Sequence, residues 1–284
     1  MPRHTTRKVI SQMFKLTRII AASATAAGFA CAQTTVSEPL HNPEHVELVT
    51  TDKPTFALSG ELLSAYLDNG VTASAGPVFQ PAAEIAYHGL FASFWGNYNL
   101  NDRKGLVRAG EFSQADWSAG YRMTFFEDTF EVALGFGQSI YFGPTKGERE
   151  DMPMLDLAWH GPLDWYFHVE HVVACEDEGT KGQTYAETGL TKEIEISEDG
   201  RWGVGGGILL GMVNSEDGKT GLTHWSPSCW VYHKPFENVT ITVATAYVGQ
   251  LDSRLLADAD YSGTEPSPGY DIPAVVSLGV SAEF

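Results

Sequence analysis

Apolar and polar residues alternate with a period of two over most of the chain beyond residue 54. The last eleven residues show it clearly. Val276, Leu278, Val280, Ala282 and Phe284 share one face, and Val275, Ser277, Gly279, Ser281 and Glu283 share the other. That periodicity predicts a β-strand with one apolar side. The stretch 115–125 repeats it, with Ala115, Trp117, Ala119, Tyr121, Met123 and Phe125 opposite Asp116, Ser118, Gly120, Arg122 and Thr124. Phe130, Val132, Leu134 and Phe136 alternate with Glu131, Ala133, Gly135 and Gly137. Leu155, Leu157 and Trp159 oppose Asp156, and Leu163, Trp165, Phe167 and Val169 oppose Asp164, Tyr166, His168 and Glu170. Val204, Gly206, Ile208, Leu210 and Met212 share a face, as do Val239, Ile241, Val243, Thr245 and Tyr247. Three earlier strands are predicted: one carrying Phe56, Leu58, Gly60, Leu62 and Tyr66, then 80–88, then 90–100. Strands at 183–196, which holds Glu187, and at 222–232 are less regular. Pro227 in the latter predicts a bulge or weak pairing there. The count is about twelve.

The connections between these strands run long, short, long, short to the end. The short ones fall at His88-Gly89, Glu127–Thr129, His160–Pro162, Ser197–Arg201 and His233–Asn238. An outer-membrane barrel has an even strand number, short periplasmic turns and longer external loops. Twelve strands that begin and finish in the periplasm place every long loop outside. The predicted fold is therefore all-β, a transmembrane antiparallel up-and-down β-barrel of about twelve strands. A soluble sandwich would share the alternation along each strand but gives no reason for loop lengths to alternate. In a membrane barrel Phe284 has a use, in the aromatic girdle at the interface.

Residues 1–32 carry Arg3, Arg7, Lys8, Lys15 and Arg18 and no acid, then an apolar, small-residue run from Ile19 to Ala30 and an Ala30-Cys31-Ala32 cleavage pattern. This reads as a secretory signal peptide, with Met13 as an alternative start. The apolar run is too short for a spanning helix. A lipoprotein signal acylated at Cys31 is the alternative, though Phe29 suits it poorly. Residues 33–54, polar and punctuated by Pro43 and Pro54, form an irregular lead segment, and residues 55–284 form the barrel. Removing the five basic residues of the leader takes the net charge from −18 to −23. Such a chain lacks the basic footprint that nucleic acid requires. Cys175 and Cys229 lie on separate predicted strands with no spacing that pairs them, so both are expected to be free.

The stretch from Tyr66 to Asn97 resembles the opening of the TorF-type porin family of outer-membrane proteins. The matching pieces are Tyr66, Asn69-Gly70, Pro77-Val-Phe-Gln80, Gly89-Leu-Phe91 and Trp95-Gly-Asn97. Asn69 stands where the family usually has Arg. The clear resemblance covers about forty residues. It implies a porin-like barrel in the outer membrane of a Gram-negative-type bacterium and transfers neither a substrate nor catalytic residues.

The chemistry expected of the polar faces follows. Asp116, Arg122, Glu131, Asp156, Asp164, His168, Glu170 and Glu187 are the candidates for an acidic lumen, with Arg122 as counter-charge. Rings of carboxylates favour cations. The same residues could equally form a filled, salt-bridged interior, because twelve strands lie between packed eight-stranded barrels and open sixteen-stranded ones. His168 and Glu170 share a face, but two ligands fall short of a closed metal site. No metal or cofactor is expected. A lipid-active barrel enzyme is an alternative, although no G-x-S-x-G elbow is present. A structural or adhesive barrel using the acidic loop 249–273 is another. The expected partners are outer-membrane lipid and small solutes or ions; the sequence leaves the oligomeric state open.

Overall fold

The computed structural model describes residues 53–101, 108–126, 129–142, 148–175, 180–214, 219–252, 255 and 273–284. The leader, nearly all of the lead segment and most of loop 249–273 lie outside the described residues. The described residues form sixteen strands in chain order: β1 (Thr55–Leu63), β2 (Tyr66–Asp68), β3 (Val71–Ser74), β4 (Val78–Tyr87), β5 (Leu90–Asn99), β6 (Phe112–Phe125), β7 (Phe130–Tyr141), β8 (Glu148–Trp159), β9 (Asp164–His171), β10 (Ala174–Cys175), β11 (Thr184–Glu195), β12 (Trp202–Asn214), β13 (Thr220–Phe236), β14 (Val239–Tyr247), β15 (Gly249–Gln250) and β16 (Ala274–Glu283).

Twelve of these close into an antiparallel barrel. Each long strand pairs with its neighbours in sequence, β8 with β9 and β9 with β11 included, and β1 with β16 closes the ring. At the closure Leu58 lies opposite Ala282 and Leu62 opposite Leu278. Phe56 and Phe284 exchange backbone hydrogen bonds of 3.0 and 2.8 Å. The closed ring satisfies the ladder's N–H and C=O groups internally, as a span through hydrocarbon demands.

The outer surface follows the predicted faces. Leu58, Leu134, Phe136, Ile208, Val243 and Val276 are exposed although apolar. A continuous apolar surface of this kind is suited to lipid rather than water. Aromatics gather at the short-turn end, where Phe125, Phe126, Trp159, Trp202, Phe236 and Phe284 are exposed. The tightest turn, His88-Gly89, has positive φ at both residues (50° and 82°), the geometry of a two-residue hairpin that follows strand twist.

Three expectations are refined. β8 begins at Glu148, well before Leu155 where the predicted alternation opens, and β10 pairs beside it at Glu150 and Asp151. Pro227 lies where β13 changes partners: β14 pairs as far as Ser228, and β15 resumes at Trp225. Pro227 has no N–H to give on that side. Finally, Tyr66 does not extend the first strand. It starts the β2–β3 hairpin, which folds into the barrel. Cys175 and Cys229 are both free.

Candidate functional site

The inner wall has two unlike sectors. Along β13, β14 and β16 the inward side chains carry no acid among the buried ones and include Trp230, Tyr232, Ala244, Ala246 and Val275, with Val248 just beyond β14, beside His224, Ser226, Thr240 and Ser277. Glycines on β12 make room for the rings. A Cβ at Gly205 would fall 2.1 Å from the Trp230 ring, and one at Gly203 would fall 2.2 Å from Tyr232. Such approaches exclude any side chain there without displacing the ring. Trp230 donates from Nε1 to Glu193 Oε1 at 2.6 Å, which meets the polar need of its buried ring.

From β4 round to β11 the inward positions carry most of the buried charge, among apolar residues such as Phe91, Trp95, Met152 and Met154. Arg122 on β6 lies 3.3 Å from Glu84 on β4 and 3.4 Å from Glu131 on β7, with its guanidinium 5.0 Å from the Phe91 ring centroid. His168 on β9 meets Asp156 on β8 through Nδ1 at 2.5 Å and stands 3.6 Å from Glu170 through Nε2. Tyr185 donates to Glu187 at 3.2 Å. Ladder register explains the grouping, because Arg122 is paired with Ala133, Ala133 with Asp156, Asp156 with His168, and His168 with Glu187. One row of the sheet thus sets Arg122, Asp156, His168 and Glu187 side by side around the wall.

All eight residues singled out from the sequence fall on this inner face. Asp116, Arg122, Glu131, Asp156, His168, Glu170 and Glu187 are buried there. Asp164 is half-buried near the short-turn end, 3.6 Å from His160. His171 is exposed and bonded to Thr184, so it does not join His168 and Glu170. Glu61, Asp68, Glu84 and Glu150 were not singled out, yet they belong to the same interior. Counting these, nine buried carboxyl groups face one arginine and two histidines, His168 and His224, among the buried residues described.

The hairpin joins the sectors. Tyr66, Leu67, Ala65 and Leu63 pack with Ala246, Val248 and Val275 on the apolar side. Tyr66 also donates to Gln114 Oε1 at 2.9 Å on the polar side, and its ring lies 5.8 Å from Trp95. At the tip, Gly70 (φ 84°) sits so close to β13 that a Cβ there would be 2.8 Å from the His224 ring. The hairpin therefore reaches across the lumen from β6 to β13. Asp68 rides on it, and the charges acting on Asp68 are Glu170 and Glu150 from the opposite wall.

No protein-family model matches the chain, and no curated protein sequence does. Among solved structures it is similar to a KdgM porin, at 9% identity over 81% of this chain and 99% of that one, with a TM-score of 0.47. It is similar to an outer-membrane channel from Pseudomonas putida F1, at 9% identity over 81% and 95%, TM-score 0.49. It is also similar to outer membrane phospholipase A from Escherichia coli, at 10% identity over 80% and 95%, TM-score 0.43. A channel and a phospholipase stand side by side here, so the likeness does not choose an activity.

Proposed function

We propose that this chain is an outer-membrane channel of a Gram-negative-type bacterium that passes small cations, with the β2–β3 hairpin narrowing its lumen. One observation carries the reading: among the described residues, nine buried carboxyl groups stand against one arginine and two histidines inside a ring whose outside is apolar. The buried cations among the described residues are fewer than these carboxyl groups, and buried charge without a counter-charge is costly. Mobile cations drawn from solution meet that need, and an acidic ring admits them in preference to anions. The predicted leader fits export to the outer membrane. No catalytic role is part of this reading.

The burial of Asp116, Glu131 and Glu187 to 5% exposure or less means that the described conformation is narrow. Passage then depends on hairpin displacement. That same packing favours a second reading, a filled barrel whose Glu84–Arg122–Glu131 bridge is purely structural. Planar-bilayer recording of the folded full chain across a KCl gradient separates the two. The channel reading predicts current with a cation-preferring reversal potential. Correctly folded protein that carries no current would leave the filled barrel.

A further inference from the structure

Glu187 on β11 faces the lumen, so Thr188, Leu190, Lys192 and Ile194 by parity share the outer side of the wall. Among the described strand residues, that outer side carries three Lys, Arg, Asp or Glu side chains: Arg149, Asp151 and Lys192. Arg149 and Asp151 lie at the long-loop end of β8 and satisfy each other at 2.9 and 3.0 Å. Outward hydroxyls in the wall are satisfied as well. Thr188 donates to the Tyr166 carbonyl at 2.8 Å, and Thr245 donates to that of Val275 at 3.1 Å. Lys192 is exposed and forms neither a hydrogen bond nor an ion pair with the described residues.

The two flanks of Lys192 differ. Along β11 it stands between Leu190 and Ile194, both exposed. Toward β12 it is level with Gly206. A Cβ at Gly206 would meet only the Ser228 carbonyl oxygen within 4 Å, at 3.4 Å, so the surface beside Lys192 is open. Toward β9 the ladder ends. Asp164, the first residue of β9, pairs with Thr191, so the β8–β9 turn lies beside Lys192 on that flank. Trp159 and Trp165 pair at that turn on the outer side, at the level of an aromatic girdle. Lys192 therefore stands where the apolar surface gives way to the interface. A lysine there lays its methylenes over the apolar face and presents its ammonium to the headgroups, which avoids the penalty of charge in hydrocarbon. With no carboxylate of the wall beside it, its counter-charge must come from outside the chain. At this depth in a bilayer the available anion is a lipid phosphate. A zwitterionic headgroup brings its own ammonium to that phosphate; an anionic one does not, and so gains more from the lysine.

We propose that Lys192 anchors an anionic glycerophospholipid of the leaflet on the short-turn side. The lipid phosphate accepts from the Lys192 ammonium, and an acyl chain lies against Leu190, Ile194 and the open surface at Gly206. The site is on the outside of the barrel and does not depend on whether the lumen conducts.

The test uses the full chain folded in a neutral detergent and titrated with phosphatidylglycerol or phosphatidylcholine, with native mass spectrometry reading the lipid retained. The native chain should retain phosphatidylglycerol about fivefold more tightly than phosphatidylcholine, the scale of one basic side chain at an anionic surface. Lys192→Leu extends the apolar face and should fold, as heat-modifiable gel mobility would show, but lose the preference. Lys192→Gln, which keeps most of the side chain's length without its charge, should lose it too, and Lys192→Arg should keep it. Lys234→Gln, which removes a cation set over the Tyr232 ring at the same end of the barrel, should behave like the native chain. Equal retention of the two lipids by the native chain overturns the site. So does a preference that survives in both Lys192→Leu and Lys192→Gln, or one that Lys234→Gln abolishes. Glycerol phosphate that displaces phosphatidylglycerol at equal concentration would show a site for a free anion and overturn the lipid assignment.

Discussion

On β13, β14 and β16 the barrel turns Trp230, Tyr232, Ala244, Ala246 and Val275 inward; on β6 to β11 it turns Asp116, Arg122, Glu131, Asp156, His168, Glu170 and Glu187 inward. Both sectors belong to one closed sheet, and both have an apolar exterior. The difference lies only in what the alternate residues carry. The apolar sector gives the β2–β3 hairpin a surface on which Leu67 and Tyr66 are buried. The charged sector gives it a polar anchor at Gln114 and surrounds Asp68 with acids. A lumen acidic all round would leave an in-folded loop with nothing apolar to pack against. A lumen apolar all round would have no means of preferring a cation. The division of the wall therefore places a segment across the barrel while keeping the charge to which the proposed channel assigns its cation preference.

This contrast can be broken most severely at Arg122. Arg122→Gln leaves Glu84 and Glu131 facing each other without their shared counter-charge, and removing one member of a buried ion pair costs about 3–5 kcal/mol. Urea unfolding in detergent should show a loss of that order. On the other sector, Val275→Thr places a hydroxyl among apolar neighbours and should cost about 1–3 kcal/mol, the penalty of a buried unsatisfied group. A Val275→Thr barrel as stable as the native one would remove the reason for calling that sector apolar. Tyr66→Phe removes the hairpin's bond to Gln114 and should cost about 1 kcal/mol. Its clearer effect is expected in bilayers, as more frequent or larger openings.

The smallest effect belongs outside the wall, in the turn between β11 and β12. A hydrogen bond with Ser197, and then one donated by the Arg201 backbone N–H, hold the exposed Asp199 carboxyl below its ordinary range. Because its folded pKa is lowered, the contribution of Asp199 is present above the ordinary carboxylate range and is lost as pH falls through the lowered value. A slight stability advantage of the native chain over Asp199→Asn at neutral pH should therefore vanish in acid. The luminal contrast should be unaffected.

The outward half of each strand was the legible half. Leu134, Phe136, Ile208 and Val243 meet lipid, so they must be apolar at every second position, and that period shows directly in the sequence. The inward placement of Asp116, His168 and Glu170 follows by parity. Glu84 escaped notice because its neighbours Ala82, Ala83 and Ala86 are too small to mark a face. Glu150 lies where β8 runs through Glu148–Asp151, a stretch without an apolar member at alternate positions, so it reads as loop. The hairpin was hidden for another reason. β2 and β3 are only three and four residues long, and Tyr66, Leu67 and Asp68 are all buried. A segment surrounded on both faces shows no alternation. Its direction is set by Tyr66 and Leu67 finding the apolar sector, a long-range match that local pattern does not reveal.

The hairpin's seat against β13 can be tested by covalent capture. A Cβ at Gly70 would lie 2.9 Å from that of His224, somewhat inside the usual separation of a disulfide, about 3.5–4.5 Å, and within reach of a small backbone adjustment. Gly70→Cys combined with His224→Cys, with Cys175 and Cys229 replaced by Ser, should cross-link under mild oxidation. The oxidised chain should carry little current in a bilayer, and reduction should restore the current of the uncross-linked protein. Failure of the pair to cross-link in folded protein, or a cross-linked barrel that conducts as freely as the reduced one, would contradict a hairpin that lies across the lumen and controls it.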